Sequence, residues 1–207
     1  MGRQGVIGMV AAPLRIYLVR HGETAWSRSG QYTGSTDIPL TAKGEAAAQK
    51  LGLRLQGIPF ARVLTSPLQR AQQTCALAGL SPAAEIDPDL GEWGYGEYEG
   101  RTPADIIASS PDWNLFRDGA PLGETPGEIA VRADRLIARL RLLNGNIALF
   151  SHGHIGRVLA ARWTGLSVRQ AQSFLLDTAT LSILCYEHSR IEHPAIALWN
   201  AASHEAL

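Results

Sequence analysis

Three short stretches of this chain put histidines and arginines directly behind apolar runs. "LVRHGETAW" places Arg20 and His21 after "LRIYLV", "LFSHGH" places His152 after "NIALF", and "LTSPLQR" places Arg70 shortly after "ARVLTS". An imidazole accompanied by guanidinium groups has a narrow range of uses, because the cations repel a metal ion and attract an anion. Catalytic zinc asks for three histidine, carboxylate or thiolate ligands within reach, whereas His21 and His152 are accompanied by glycines and arginines. Arg70 adds a second signal. A positive charge in the first turn of a helix opposes the helix dipole at a cost of about 0.3–1 kcal/mol, which a neighbouring anion offsets. These residue types at this spacing imply a local anion site suited to a phosphoryl group, with no metal and no cofactor.

Strand and helix signals set where those residues must sit. "LRIYLV", "ARVLTS" and "NIALFS" read as strands, "AAEID" as a short edge strand, and "TLSILCYE" and "IALWN" as two closing strands. "LTAKGEAAAQKLGLRLQ" reads as a helix capped by Thr41. In "SPLQRAQQTCALAG", Ser66 as N-cap, Pro67 at the first helical position and Gln69 in a capping box predict a helix that starts at Ser66. "TPAD" and "TPGE" repeat cap, proline and acid, opening a short helix at Thr102 and a long one at Thr125. The long one carries Ile129, Ala133, Leu136, Ile137 and Leu140 at the spacing of a single buried stripe and stops at "NG". "GHIGRVLAARW" is a further helix. Strands alternating with helices imply an α/β three-layer sandwich, a mostly parallel central sheet flanked by helices. In such sheets ligands bind beyond the carboxyl ends of the strands, where Arg20, His21 and His152 are placed.

Composition removes several classes of partner. Lys+Arg and Asp+Glu both number 19, so the formal net charge is zero and the long-range attraction of a basic chain for nucleic acid or acidic membranes is absent. Cys75 and Cys185 are too few and too far apart for a disulfide framework or a zinc site, and Cys75 reads as a small buried hydrophobe. The stretch "MGRQGVIGMVAAP" imitates a signal peptide poorly, since Gly8 breaks its apolar run and a strand follows almost at once. No stretch reaches the roughly 20 apolar residues that span a bilayer. The expectation is a single domain over residues 1–207, with a loose extension at 1–12, in the cytoplasm.

"LVRHGETAW", "LTSPLQRAQQT", "LGEWGYGEYEG" and "LFSHGHIGRVLAARW", in that order, resemble the histidine phosphatase superfamily, which also contains the cofactor-dependent phosphoglycerate mutases. The resemblance runs from Arg15 to about Trp199 and implies a phosphoglycerate mutase-like fold. It also implies that His21 is the nucleophile that becomes a phosphohistidine, that Arg20, Arg70 and His152 hold the transferred phosphoryl group, and that Glu92 is the proton donor. Spacing alone does not choose between Glu92, Glu97 and Glu99. The resemblance selects Glu92 and leaves the other two as a solvated loop face or an ion pair. In "SRSGQYTGSTDIPLT" it aligns Ser27, Gln31, Tyr32, Thr33 and Gly34 with positions lining the family's pocket, while Gly30 and Gly34 equally read as turn residues. Tyr95 is a further polar group expected there, with Trp26 and Trp93 as flat apolar surfaces. His154 is read as opening a helix.

Phosphoryl transfer to His21 needs a neutral imidazole. Arg20, Arg70 and a cationic His152 would disfavour its protonation and neutralise the equatorial oxygens of the transition state. Glu92 would have to start protonated. Between the proton-donor motif and the long helix only Arg101 and Arg117 are basic, with no adjacent arginine pair, which favours release of phosphate to water. The implied activity is a metal-independent phosphomonoesterase acting on a small phosphorylated metabolite, a sugar phosphate, with Arg28, Arg101 and Arg117 as candidates for a second phosphate. The alternatives are a cofactor-dependent phosphoglycerate mutase and an inactive binding homologue.

Overall fold

In β1, Arg15–Arg20, successive side chains leave opposite faces of the strand. Ile16 and Leu18 enter one apolar cluster and Tyr17 and Val19 another, all four of them buried. A strand covered on both faces reads as an unbroken apolar run, which is why "IYLV" does not alternate. The structure is a computed structural model that describes residues 12–202; the expected loose extension therefore lies outside the described residues except for Ala12, whose carbonyl accepts from Gly145 N at 2.8 Å.

The remaining strands are β2 Phe60–Thr65, β3 Ala84–Ile86, β4 Asn146–Ser151, β5 Leu181–Tyr186 and β6 Pro194–Ala201. They form one six-stranded mixed sheet in the order β3-β2-β4-β1-β5-β6. β1, β2, β3 and β4 pair in parallel, and β5 is antiparallel to both of its neighbours. The helices are α1 Ala25–Ser29, α2 Ala42–Leu55, α3 Gln69–Leu77, α4 Pro103–Ser109, α5 Leu115–Asp118, α6 Pro126–Leu140 and α7 Gly153–Trp163. Leu51 and Leu55 of α2 and Cys75 of α3 pack on one sheet face with Tyr17 and Val19. The stripe Ile129, Ala133, Leu136, Ile137 and Leu140 of α6 packs on the other, with Ile155, Val158 and Leu159 of α7. The three layers expected from the sequence are present. Among the described residues no helix is long and apolar enough to cross a membrane.

Strand order positions the site. With β4 between β1 and β2, register sets Arg20 opposite Ser151 and Thr65 opposite Phe150, so three parallel strands end side by side. His21, His152 and Ser66 are the residues that follow those ends. Capping boxes open α4 at Thr102 with Asp105 and α6 at Thr125 with Glu128, as the sequence predicts. The helix predicted from Ser66 instead begins at Gln69 with Leu68 as its cap. Ser66 Oγ is engaged by His152 Nε2 at 2.7 Å, and the Gln69 amide donates to Asp37 Oδ1 at 2.7 Å. Ser66 Oγ also accepts from Leu68 N at 3.2 Å, so the serine and a carboxylate from another loop share the amides at the helix start.

Candidate active site

A cavity of about 330 Å³ opens at these strand ends, with Arg20, His21 and Glu92 in its wall. His21 is 4% exposed, and its Nδ1 lies 2.7 Å from the carbonyl of Gly22. A carbonyl only accepts, so Nδ1 carries the proton and Nε2 keeps a free lone pair. Burial, then the cations of Arg20 and Arg70, hold its pKa well below the ordinary imidazole value. Gly22 is required by packing: a Cβ there would lie 2.5 Å from the Gly44 carbonyl in the first turn of α2. Arg20 donates through Nη1 to the Leu176 carbonyl, while its buried Nε meets no acceptor among the described residues. Buried donors normally have partners; an anion in the cavity would supply one.

Arg70 and His152 are fully buried and stand behind the cavity wall, not in it. Arg70 donates from Nε to His152 Nδ1 at 3.1 Å, from Nη1 to Thr36 O at 3.0 Å, and from Nη2 to Thr33 O at 3.0 Å and Gly34 O at 2.9 Å. His152 caps α7, and its Nε2 faces Ser66 Oγ. Because a guanidinium has no acceptor, Nδ1 of His152 must be unprotonated and the ring neutral. The cationic His152 expected from the sequence is corrected by this bond. Burial and the Arg70 charge push its pKa well down.

Glu92 follows a short turn at Pro88–Leu90. Its Oε1 accepts from Trp93 N and Ile155 N, both at 2.9 Å, and its Oε2 from His154 N at 3.0 Å. The last two donors belong to the first turn of α7, which the His152 side chain leaves uncapped, so the carboxylate occupies a helix N-terminus. Burial pushes the Glu92 carboxyl up, but His154 and the amides of Ile155, Trp93 and His154 together hold it below the ordinary value. The acid expected to be protonated at the outset is therefore a carboxylate in this structure.

The first loop contributes Ser27, Gln31, Tyr32 and Thr33 to the cavity wall, and Tyr95 joins them. Several of their polar groups are spent locally: Ser27 Oγ accepts from Thr24 N, Gln31 Nε2 donates to Gly100 O, and Thr33 Oγ1 donates to Gln31 O. Gly34 is buried behind the wall, where a Cβ would lie 2.7 Å from the Trp93 carbonyl. Close approach of two loops, not ligand contact, accounts for that glycine. Glu99 also has a defined place: Oε1 accepts from Gly34 N and Thr36 N at 2.8 and 3.0 Å. Trp93 is fully buried, and its Nε1 donates to Glu124 O; Trp26 lies against Gly100.

Two wall residues were not singled out as functional by sequence reasoning. His154 Nδ1 lies 2.6 Å from the Tyr95 hydroxyl, and burial, partly opposed by Glu92, pushes its pKa down to about 4. Arg157 lines the same cavity, with its guanidinium 4.6 Å from the Phe116 ring centroid and Nη2 donating to Gln172 O at 2.7 Å. Their signal was present in "SHGHIGR", because residues three apart share one face of a helix that starts at the site. The arginines proposed for a second phosphate lie elsewhere. Arg101 bonds Asp105 O and Ser109 Oγ, Arg117 pairs with Asp118, and Arg28 is exposed. Among the described residues no three His, Cys, Asp or Glu side chains gather as a metal site.

The family profile of the histidine phosphatase superfamily (branch 1) matches residues 16–202. The chain is 39% identical over 178 residues to an acid phosphatase of Mycobacterium tuberculosis, covering 84% of this chain and 87% of that protein. It is 34% identical over 251 residues to the sedoheptulose 1,7-bisphosphatase of Saccharomyces cerevisiae, covering 89% and 92%. The solved structure of an open reading frame product of Mycobacterium tuberculosis superposes with a TM-score of 0.86 at 34% identity, over 92% of this chain and 98% of that chain.

Proposed function

The chain belongs to the histidine phosphatase superfamily (branch 1), and from that premise we propose that it is a metal-independent phosphomonoesterase of the cytoplasm, working through a phosphohistidine at His21. The observation that carries this reading is the state of His21. Its tautomer leaves Nε2 unprotonated, its basicity is suppressed, and a guanidinium with a spare buried N–H stands beside it.

Arg20 receives the equatorial oxygens of the phosphoryl group, and the Arg70 charge supports it from behind. His152 fixes the angle of the Arg70 guanidinium behind the wall. His21 Nε2 attacks phosphorus as the bond to the leaving oxygen breaks, and Glu92 gives that oxygen a proton. Its carboxylate acquires the proton when substrate binds, since a neighbouring phosphate dianion raises a carboxyl pKa, and a phosphate monoester with a second pKa of about 6 can bring the proton with it. Water then attacks the phosphohistidine, Glu92 takes a proton from it, and phosphate departs as His21 regains its lone pair. Two moderate barriers replace one high one.

The substrate is a small phosphorylated metabolite, a sugar phosphate. Tyr32, Tyr95 and His154 offer rings and polar atoms to a polyol, and Arg157 offers a second cation. Similarity to a sedoheptulose 1,7-bisphosphatase agrees with that chemistry. Hydrolysis is favoured over mutase action because Arg101 and Arg117 are committed to α4 and Asp118.

The test is turnover of 4-nitrophenyl phosphate and a panel of sugar phosphates in chelator, with acid-labile labelling followed in parallel. Wild type should release phosphate and become labelled, and His21→Ala should do neither. No turnover on the whole panel points to an inert homologue. Isomerisation of 3-phosphoglycerate with 2,3-bisphosphoglycerate faster than phosphate release points to a mutase.

A further inference from the structure

Helix α6 carries a second stripe beside its apolar one. Arg132, Arg135 and Arg139 recur three and four residues apart, so they share a face, and that face meets the turn that delivers Glu92. The outer two grip the start of the turn: Arg139 reaches Asp87 Oδ2 and Asp89 Oδ2, both at 2.6 Å, and Arg135 Nε reaches Asp89 Oδ2 at 3.0 Å. Both are about half exposed, at 54% for Arg135 and 45% for Arg139.

Arg132 is different. Its side chain is 14% exposed, and its donors go mainly to backbone: Nη1 to Asp89 O at 2.9 Å and Gly91 O at 2.7 Å, and Nη2 to Glu92 O at 3.2 Å. The other side of its fork holds the Glu124 carboxylate, from Nε at 2.8 Å and Nη2 at 2.7 Å. Glu124 in turn braces the chain beyond Glu92, accepting from Gly94 N at 3.3 Å through Oε2 and from Trp93 Nε1 through its carbonyl. Glu92 is thus tethered at both ends, its carboxylate to the first turn of α7 and its carbonyl to α6.

We infer that Arg132 is a positioning residue for proton transfer by Glu92, and that Glu124 orients the Arg132 fork for the purpose. The inference rests on the phosphatase reading. Arg135 and Arg139 keep the outer turn on α6 when Arg132 is absent, so removing Arg132 loosens the segment from Gly91 to Glu92. The carboxylate retains its α7 donors, but the backbone that aims it at the leaving oxygen is no longer fixed. Proton transfer is sensitive to such misplacement, and a shift of about 1 Å costs on the order of a hundredfold.

Arg132→Met and Arg135→Met are compared with wild type on glycerol 2-phosphate, whose alkoxide needs a proton to leave, and 4-nitrophenyl phosphate, whose phenolate does not. In Arg132→Met, kcat on glycerol 2-phosphate should fall about tenfold to a hundredfold, while kcat on the aryl ester stays within about threefold and KM for both holds. Arg132→Lys, which keeps the charge without the fork, should show the same split, and Arg135→Met should lower Tm without one. If Arg132→Met does not fold, Glu124→Gln should show the split in smaller measure. Equal losses on the two esters, or no loss on either, in folded variants of an active wild type overturn the inference alone. A wild type inert towards both esters overturns the phosphatase reading and the inference with it.

Discussion

Arg70 Nε donates to His152 Nδ1 at 3.1 Å, and this one bond fixes the charge of the histidine. With Nδ1 an acceptor, the proton lies on Nε2, toward Ser66 Oγ at 2.7 Å. The positive charge around His21 therefore comes from arginine. Protonating His152 would break its bond to Arg70 inside a site with no solvent exposure. Nitrogen NMR should find His152 as the neutral Nε2–H tautomer from about pH 8 to about pH 5, the range in which an ordinary imidazole titrates. A titration near the ordinary value of 6.5 would overturn this assignment.

His21, His152 and His154 are all held below the ordinary imidazole value of 6.5, His154 at about 4. Below that value the unfolded chain protonates them while the folded chain does not, so the unfolded state binds more protons and stability falls as pH falls. Their contribution is complete above about pH 7 and is lost progressively below about pH 6.5, each histidine adding up to about 1.4 kcal/mol per pH unit. Tm should drop steadily between about pH 6.5 and about pH 4.5, and His154→Gln should flatten the slope. A constant Tm across that range would remove the account of these three rings.

The layers, the strand ends and the presence of His21 and Arg20 at one cavity were legible because they follow from short-range signals: apolar runs, caps and residues adjoining strand termini. The position of Arg70 and His152 behind the wall was not, since it depends on carbonyls of Thr33, Gly34 and Thr36 delivered by a loop remote in sequence. The same holds for the second partner of Ser66, whose Oγ accepts from Leu68 N as a cap would and is also engaged by His152, remote in sequence. The resemblance selects Glu92 among the carboxylates of its loop, but the charge state was not legible, because burial, His154 and three amides from two segments set its acidity. The helical spacing that follows His152 carries the signal for Arg157 in the cavity wall, whereas the loop arginines Arg101 and Arg117 bond local partners that their loop sequence does not reveal.

Because Glu92 is held below the ordinary value of 4.5, its protonated form is scarce at neutral pH. For glycerol 2-phosphate, kcat/KM should therefore rise as pH falls from about 8 to about 5, whereas 4-nitrophenyl phosphate should give a flatter profile. Glu92→Gln should lose about a hundredfold or more on the alkyl ester, far less on the aryl ester, and should lose the pH slope that separates them. Equal losses on both esters, with the slope intact, would assign Glu92 to capping α7 and not to proton transfer.

Arg157 tests the identity of the substrate. Its Nε and Nη2 are held by the carbonyls of Ala171 and Gln172 at 3.3 and 2.7 Å, and Phe116 lies against the guanidinium, so the cation is pre-aimed and loses little freedom on binding. A hydrogen bond to a charged group contributes about 1.5–3 kcal/mol, which corresponds to roughly tenfold to 150-fold in binding. Arg157→Ala should therefore raise KM for a sugar bisphosphate by about that factor while leaving 4-nitrophenyl phosphate nearly unchanged. The corresponding sugar monophosphate should resemble the aryl ester, because it has no second anion to lose. Equal KM increases on monophosphate and bisphosphate would show that Arg157 shapes the cavity without reading a second charge, and the substrate would then be a phosphomonoester with a neutral remainder.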